Sequence, residues 1–157
     1  MQLTDILSEE FIKLDPDARD RDTCIKNLLD LLDKHELIKD VDKAYRAVLD
    51  REKIMTTGVG NGIAIPHCKD NSCPNFAVAL GIHCNGVDFQ AIDKKNAQLI
   101  FLLVGPENNP GLHIKLLSRI SRLMSNEELR HQLIKCKSAA EAIEIIKEEE
   151  NYYFDIE

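Results

Sequence analysis

The run Leu99-Ile-Phe-Leu-Leu-Val104 (LIFLLV, residues 99–104) decides how the chain folds. Six consecutive apolar residues have the length of a strand and leave no face for water. A strand apolar on both sides must be covered on both sides, and the surrounding sequence supplies the cover. Just upstream, Phe76, Val78, Leu80 and Ile82 alternate with Ala77, Ala79 and Gly81, which predicts a strand with one roomier face. Asn85-Gly86 reads as a hairpin turn leading into Val87–Gln90. Near the N-terminus, Phe11, Ile12 and Leu14 form a candidate edge strand, followed by the polar connection DPDARDRD at 15–22.

Helical patterns flank these strands. Thr23 is placed to cap a helix running to about His35, with Ile25, Leu28, Leu29 and Leu32 at i, i+3, i+4, i+7. A second helix is expected from about Asp40 to Arg51, burying Val41, Ala44, Tyr45, Val48 and Leu49. Beyond LIFLLV, Asn109 and Pro110 suit the cap and first position of a helix whose stripe is His113, Leu116, Leu117, Ile120, Leu123 and Met124. Capping boxes at Ser125/Glu128 and Ser138/Glu141 predict two more helices, the last ending in an acidic tail at 148–150. The expected fold is a three-layer α/β sandwich, a mixed central sheet with helices on both faces.

With 157 residues, 44% hydrophobic and 30% charged, the chain is expected to form a single domain, 1–157. Its longest apolar run is far short of the ~20 residues that span a bilayer, so no membrane insertion is expected. MQLTDILSEE has no basic leader ahead of an apolar segment, and no export signal is expected. Five cysteines without a CxxC pair suggest reduced thiols in a cytoplasm. The net charge of −7 argues against nucleic acid as the main partner and suits a basic protein partner.

Chemistry concentrates in REKIMTTGVGNGIAIPHCKD, residues 51–70. The alternating Gly58, Gly60 and Gly62 permit positive φ and close approach to a ligand or another strand. Ile63–Ile65 reads as a short buried strand that Pro66 ends, leaving His67 behind a stiff residue. A neutral imidazole is a competent nucleophile near neutral pH, and loop amides could hold an anion beside it. Equally, His67 could be structural, its ring satisfying loop carbonyls. His113 either tops an apolar stripe as a boundary residue or sits beside the anion site of a helix N-terminus. Arg51 either offers a bidentate guanidinium to that anion or is solvated at a helix end. His67, Cys68, Cys73, His83 and Cys84 are soft ligands, but their spacing matches no zinc pattern. A metal-binding domain is therefore a remote alternative, and neither metal nor cofactor is expected. Lys115, Arg119 and Arg122 read as a solvated basic face.

Glu52, six residues and then VGNGIAIPHC at 59–68 resemble the phosphorylation-site signature of the IIA proteins of the bacterial sugar phosphotransferase system. The class is the fructose–mannitol one, which includes the nitrogen-regulatory IIA proteins. LHIKLLSRISRLM (112–124) resembles the family's second histidine motif, and VDFQAID (87–93) with LIFLLVGPE (99–107) resembles the segment between. The resemblance implies the same α/β sandwich. It implies that His67 accepts a phosphoryl group, on Nε2, from the histidine-containing phosphocarrier protein. His113 would contact the phosphate, and Arg51, Thr57 and Asn61 would line or brace the site. The acceptor would be a sugar-specific IIB component or, in the nitrogen-type alternative, a regulated kinase or transporter. Cys68 departs from the glycine commonest after the histidine, and Met55 from a usually small residue.

Overall fold

The computed structural model describes residues 1–154. Two short 3-10 turns, Leu3–Asp5 and Glu9–Phe11, precede β1 (Ile12–Leu14). Helices α1 (Arg21–Lys34) and α2 (Val41–Ile54) follow. Next come β2 (Gly58–Gly60), β3 (Ile63–Ala64), β4 (His67–Lys69), β5 (Ala77–Val87) and β6 (Ala97–Gly105). Helices α3 (Pro110–Met124), α4 (Glu127–Lys135) and α5 (Ala139–Phe154) complete the described chain.

LIFLLV is the spine of β6, in the middle of a six-stranded mixed sheet ordered β1-β5-β6-β3-β2, with β4 also paired to β6. Its residues alternate between two cores. Ile100, Leu102 and Val104 pack with Ile25, Leu28, Leu29 and Val48 of α1 and α2. Leu99, Phe101 and Leu103 pack with Leu116, Ile120, Leu133 and Ile146 of α3, α4 and α5. The same split divides β5: Ala77 and Ala79 face the first core, Val78, Leu80 and Ile82 the second. The roomier face is where α1 seats; a Cβ on Gly81 would meet Leu28 at 3.6 Å. This is the expected three-layer sandwich, and Ile12–Leu14 is its edge strand, parallel to β5.

Local details differ from expectation in ways that chemistry explains. Pro66 interrupts the sheet without ending it: β3 and β4 pair successive parts of β6, Ile63 with Leu99 and His67 with Leu103. Proline lacks the donor, but its carbonyl still accepts Leu103 N–H at 3.0 Å. His67 therefore opens a short strand. The Asn-Gly hairpin lies at Asn61-Gly62, where both residues have positive φ (59° and 79°), as a type I′ turn requires. Asn85-Gly86 falls inside β5, in a bulge between the pairs Ile82–Leu99 and Val87–Ala97.

Two caps also move. Asp20, whose side chain accepts Thr23 N–H at 2.8 Å, caps α1 in place of Thr23. Asn126 caps α4 in place of Ser125, accepting Glu128 and Leu129 N–H. The Ser125 hydroxyl instead donates to Arg122 O and closes α3. The 148–150 stretch is no tail: Glu150 is fully buried within α5. Its carboxylate accepts Leu3 N–H at 2.5 Å and the Thr4 hydroxyl at 2.7 Å, and pairs with Arg119 at 3.3 Å. A carboxylate this deep persists only with such partners.

Candidate active site

His67 and His113 meet because β4 and the start of α3 flank one end of β6. Asn109 caps α3, accepting Leu112 N–H at 3.3 Å, and Pro110 fills the first turn. One turn in, His113 points at β4. The two imidazole centroids are 5.4 Å apart, with planes inclined by 52°. Phe76 backs His113 at 6.1 Å between centroids. The Phe76 ring fits because residue 105 is glycine; a Cβ there would come within 2.5 Å of it.

The two rings have different duties. The Nδ1 of His67 lies 2.8 Å from the Ile65 carbonyl oxygen. A carbonyl only accepts, so Nδ1 carries the proton and Nε2 keeps its lone pair. His67 is half-buried, and that burial holds its pKa below the ordinary 6.5 despite the Ile65 bond, with the Arg51 charge acting in the same direction. His113 is 2% exposed, and neither ring nitrogen has a hydrogen-bond partner. Burial, helped by His67 and Lys69, pushes its pKa down to about 4. On this neutral ring the two unpartnered nitrogens are one donor and one acceptor, beside an open cleft.

That cleft, about 400 Å³, is walled by Arg51 and Ile54 of α2, His67 and Lys69 of β4, and His113 and Ile114 of α3. Arg51 donates to Met55 O at 3.0 Å, which holds it across the C-terminal end of α2. Lys69 follows His67 at strand spacing, and its charge reaches both imidazoles. Thr57 stands one layer back. Its N–H and hydroxyl donate to the buried Glu52 carboxylate, and its carbonyl accepts Ile65 N–H at 3.0 Å. The chain of bonds Glu52–Thr57–Ile65–His67 thus fixes the tautomer and pose of the His67 ring. Asn61 is not on the cleft; it is the hairpin residue, its N–H bonded to Asp93 at 2.9 Å.

Glu52 and Lys69 are the residues that the sequence reading did not assign to the site. Lys69 was legible from the period of two in a strand, had β4 been expected beyond Pro66. Glu52 opens the signature stretch, but its bracing role was not, because an acidic residue in a helix reads as solvated. The soft-ligand set disperses: His83 Nε2 sits 3.3 Å from Cys24 Sγ, while the Cys73 thiol lies 3.8 Å from the Ser72 hydroxyl. Among the described residues no group of three or more His, Cys, Asp or Glu is arranged to hold a metal.

Known proteins resemble this chain in sequence and fold. Residues 5–149 match the family model described as "Phosphoenolpyruvate-dependent sugar phosphotransferase system, EIIA 2". The chain is 34% identical over 151 residues to the fructose-specific EIIA component of Haloferax volcanii, covering 94% of this chain and 98% of that one. It is 36% identical over 148 residues, 94% of its length, to the fructose-specific EIIABC component of Bacillus subtilis, but spans only 23% of that longer protein. The crystal structure of the nitrogen regulatory protein IIA-Ntr from Neisseria meningitidis superimposes with a TM-score of 0.84 at 30% identity, covering 90% of this chain and 97% of that one. The chain belongs to the EIIA 2 family of the phosphoenolpyruvate-dependent sugar phosphotransferase system.

Proposed function

We propose that the chain is a phosphohistidine carrier, a single IIA unit over 1–157. His67 takes a phosphoryl group from the histidine-containing phosphocarrier protein and passes it to a sugar-specific IIB component. The observation that carries this reading is the 2.8 Å bond from His67 Nδ1 to the Ile65 carbonyl, which leaves Nε2 as the free nucleophile facing the cleft.

The step balances simply. The Nε2 lone pair forms the new N–P bond as the donor's own N–P bond breaks, and the donor nitrogen recovers its electron pair. Nδ1–H stays on the Ile65 carbonyl throughout. Transfer of this kind is mostly positioning and charge stabilisation. Arg51 and Lys69 supply positive charge, and His113 supplies a donor from a neutral ring that costs little to approach. Ile54 and Ile114, at 79% and 65% exposure, give the cleft an apolar rim suited to a protein donor rather than a small molecule.

The fructose-specific names of the two sequence relatives favour sugar uptake, and a relative that carries A, B and C parts in one chain favours a IIB acceptor. The reading assigns the chain to the cytoplasm; no helix among the described residues is long and apolar enough to cross a membrane. Incubation with phosphoenolpyruvate and the upstream relay is expected to add one acid-labile phosphoryl group to the wild type and none to His67→Ala. Equal labelling of that variant would remove the assignment.

A second reading is favoured by the nitrogen-regulatory structural relative. In it His67 is still phosphorylated, but the phosphorylation state sets binding to a kinase or transporter. Pull-downs with phosphorylated and unphosphorylated protein separate the two; identical partner sets count against regulation.

A further inference from the structure

Three acids among the described residues are buried: Glu52, Asp70 and Glu150. Glu150 clasps α5 to the N-terminal turn, and Asp70 accepts Ser72 N–H at 2.9 Å and faces Lys43 at 3.8 Å. Glu52 has no such structural duty. It lies in the last turn of α2, where burial and the negative end of the helix both oppose a carboxylate. A residue placed against two such forces is expected to serve something other than its own helix.

Both oxygens of Glu52 turn to one residue. Thr57 N–H donates to Oε2 at 3.2 Å, and the Thr57 hydroxyl donates to Oε1. Hydrogen bonds to a charged acceptor are stronger than neutral ones, and this pair fixes both the main chain and the side chain of Thr57. Two further bonds reach the imidazole. Ile65 N–H donates to Thr57 O at 3.0 Å, and His67 Nδ1–H donates to Ile65 O at 2.8 Å. β6 holds the Ile65–Pro66 peptide from one side, through Leu103 N–H to Pro66 O at 3.0 Å; Thr57 holds it from the other. Thr56 ties the same loop to Phe89 O and Gly58 N–H, but neither bond leads to Ile65.

We propose that Glu52 is a positioning residue for phosphoryl transfer: acting through Thr57 and Ile65, it keeps the His67 proton on Nδ1 and leaves Nε2 free to attack. The transfer half rests on the phosphocarrier reading; the tautomer half does not. A free imidazole exchanges between its Nδ1–H and Nε2–H forms, and only the first has a lone pair on Nε2. Glu52 is not on the cleft wall, whereas its neighbour Arg51 is, so a substitution at 52 leaves the wall in place. Its effect therefore falls on kcat and not on donor binding.

Wild type, Glu52→Ala, Glu52→Gln and Thr57→Val are compared in two measurements. Nitrogen-15 NMR of the unphosphorylated, histidine-labelled proteins reads the His67 tautomer. Phosphorylation by the phosphorylated upstream carrier, over a range of its concentration, separates kcat from KM. The wild type is expected to show Nδ1–H alone. Glu52→Ala is expected to show both tautomers and a kcat lowered on the order of a hundredfold, with the donor KM nearly unchanged. Glu52→Gln can still accept Thr57 N–H and can donate to the Thr57 hydroxyl, so it recovers the Nδ1–H form and most of the lost rate. Should Glu52→Ala not fold, Thr57→Val, which keeps the side-chain shape and loses one of the two bonds, is read by the same criteria. A wild-type tautomer or a wild-type kcat in the folded variant overturns the proposal, as does a loss confined to KM. Glu52→Gln behaving no better than Glu52→Ala does the same. If the wild type takes no phosphoryl group while the variants lose the Nδ1–H form, the carrier reading fails and takes the transfer half with it; control of the tautomer by Glu52 stands.

Discussion

At the scale of single residues, two imidazoles about one ring-width apart are held neutral for different purposes. In the proposed carrier a neutral His67 leaves Nε2 able to attack, and its lowered pKa predicts a phosphorylation rate that is flat near neutral pH and falls only below pH 6.5. His113 is neutral because burial leaves no room for its charge. The unfolded chain takes up that proton near 6.5 and the folded chain only near 4, so the unfolded state binds more protons between these values. Stability should therefore fall as pH falls through this window and be insensitive to His113 above it. Urea denaturation across the window should show a shallower slope for His113→Leu than for the wild type; equal slopes would mean that His113 is not buried and neutral. Phosphorylation places a negative group beside the ring, which should raise the His113 pKa in an NMR titration. Only part of this was legible beforehand. Residue type and spacing left both histidines with a structural alternative, and the family resemblance is what pointed to the pair; the His67 tautomer and the supporting Glu52–Thr57 bonds depend on a tertiary pose.

At the scale of elements, periodicities and capping signals placed the five helices of the described residues and the main strands because burial on two faces leaves few alternatives. They failed where a local rule had two candidate sites. Asn61-Gly62 and Asn85-Gly86 are both good turns in isolation; the pairing of Val87 with Ala97 extends β5 past the second and demotes it to a bulge. With φ of 79° at residue 62, Gly62→Ala should cost about 1 kcal/mol in chemical denaturation, and no loss would contradict the I′ turn. The 148–150 stretch misled for a different reason. Three consecutive glutamates look solvated, yet Glu150 clasps α5 to the N-terminal turn and to Arg119 on α3. Glu150→Ala leaves the buried Leu3 N–H and the Thr4 hydroxyl without their acceptor and removes one partner of Arg119, and should lower unfolding stability by about 3 kcal/mol. A loss under half that would mean water reaches the clasp.

At the scale of the whole molecule, the sheet is a frame that delivers two histidines from distant parts of the chain to one cleft and rims it with apolar residues. β6 carries both: β4 hangs from its C-terminal half, and α3 leaves its end. If the proposed donor protein docks on this rim, Ile114→Asp should raise the KM for the phosphorylated donor by about tenfold with kcat nearly unchanged, since about 1.4 kcal/mol of lost contact corresponds to that factor. A drop in kcat alone would put Ile114 in the chemistry instead. The central claim is narrower than docking: one atom, His67 Nε2, carries the phosphoryl group. The most direct test is nitrogen-15 NMR of the phosphorylated, histidine-labelled protein. The account predicts one phosphoryl group on Nε2 of His67 with its Nδ1 still protonated; label on Nδ1, or on His113 or any other side chain, would contradict it.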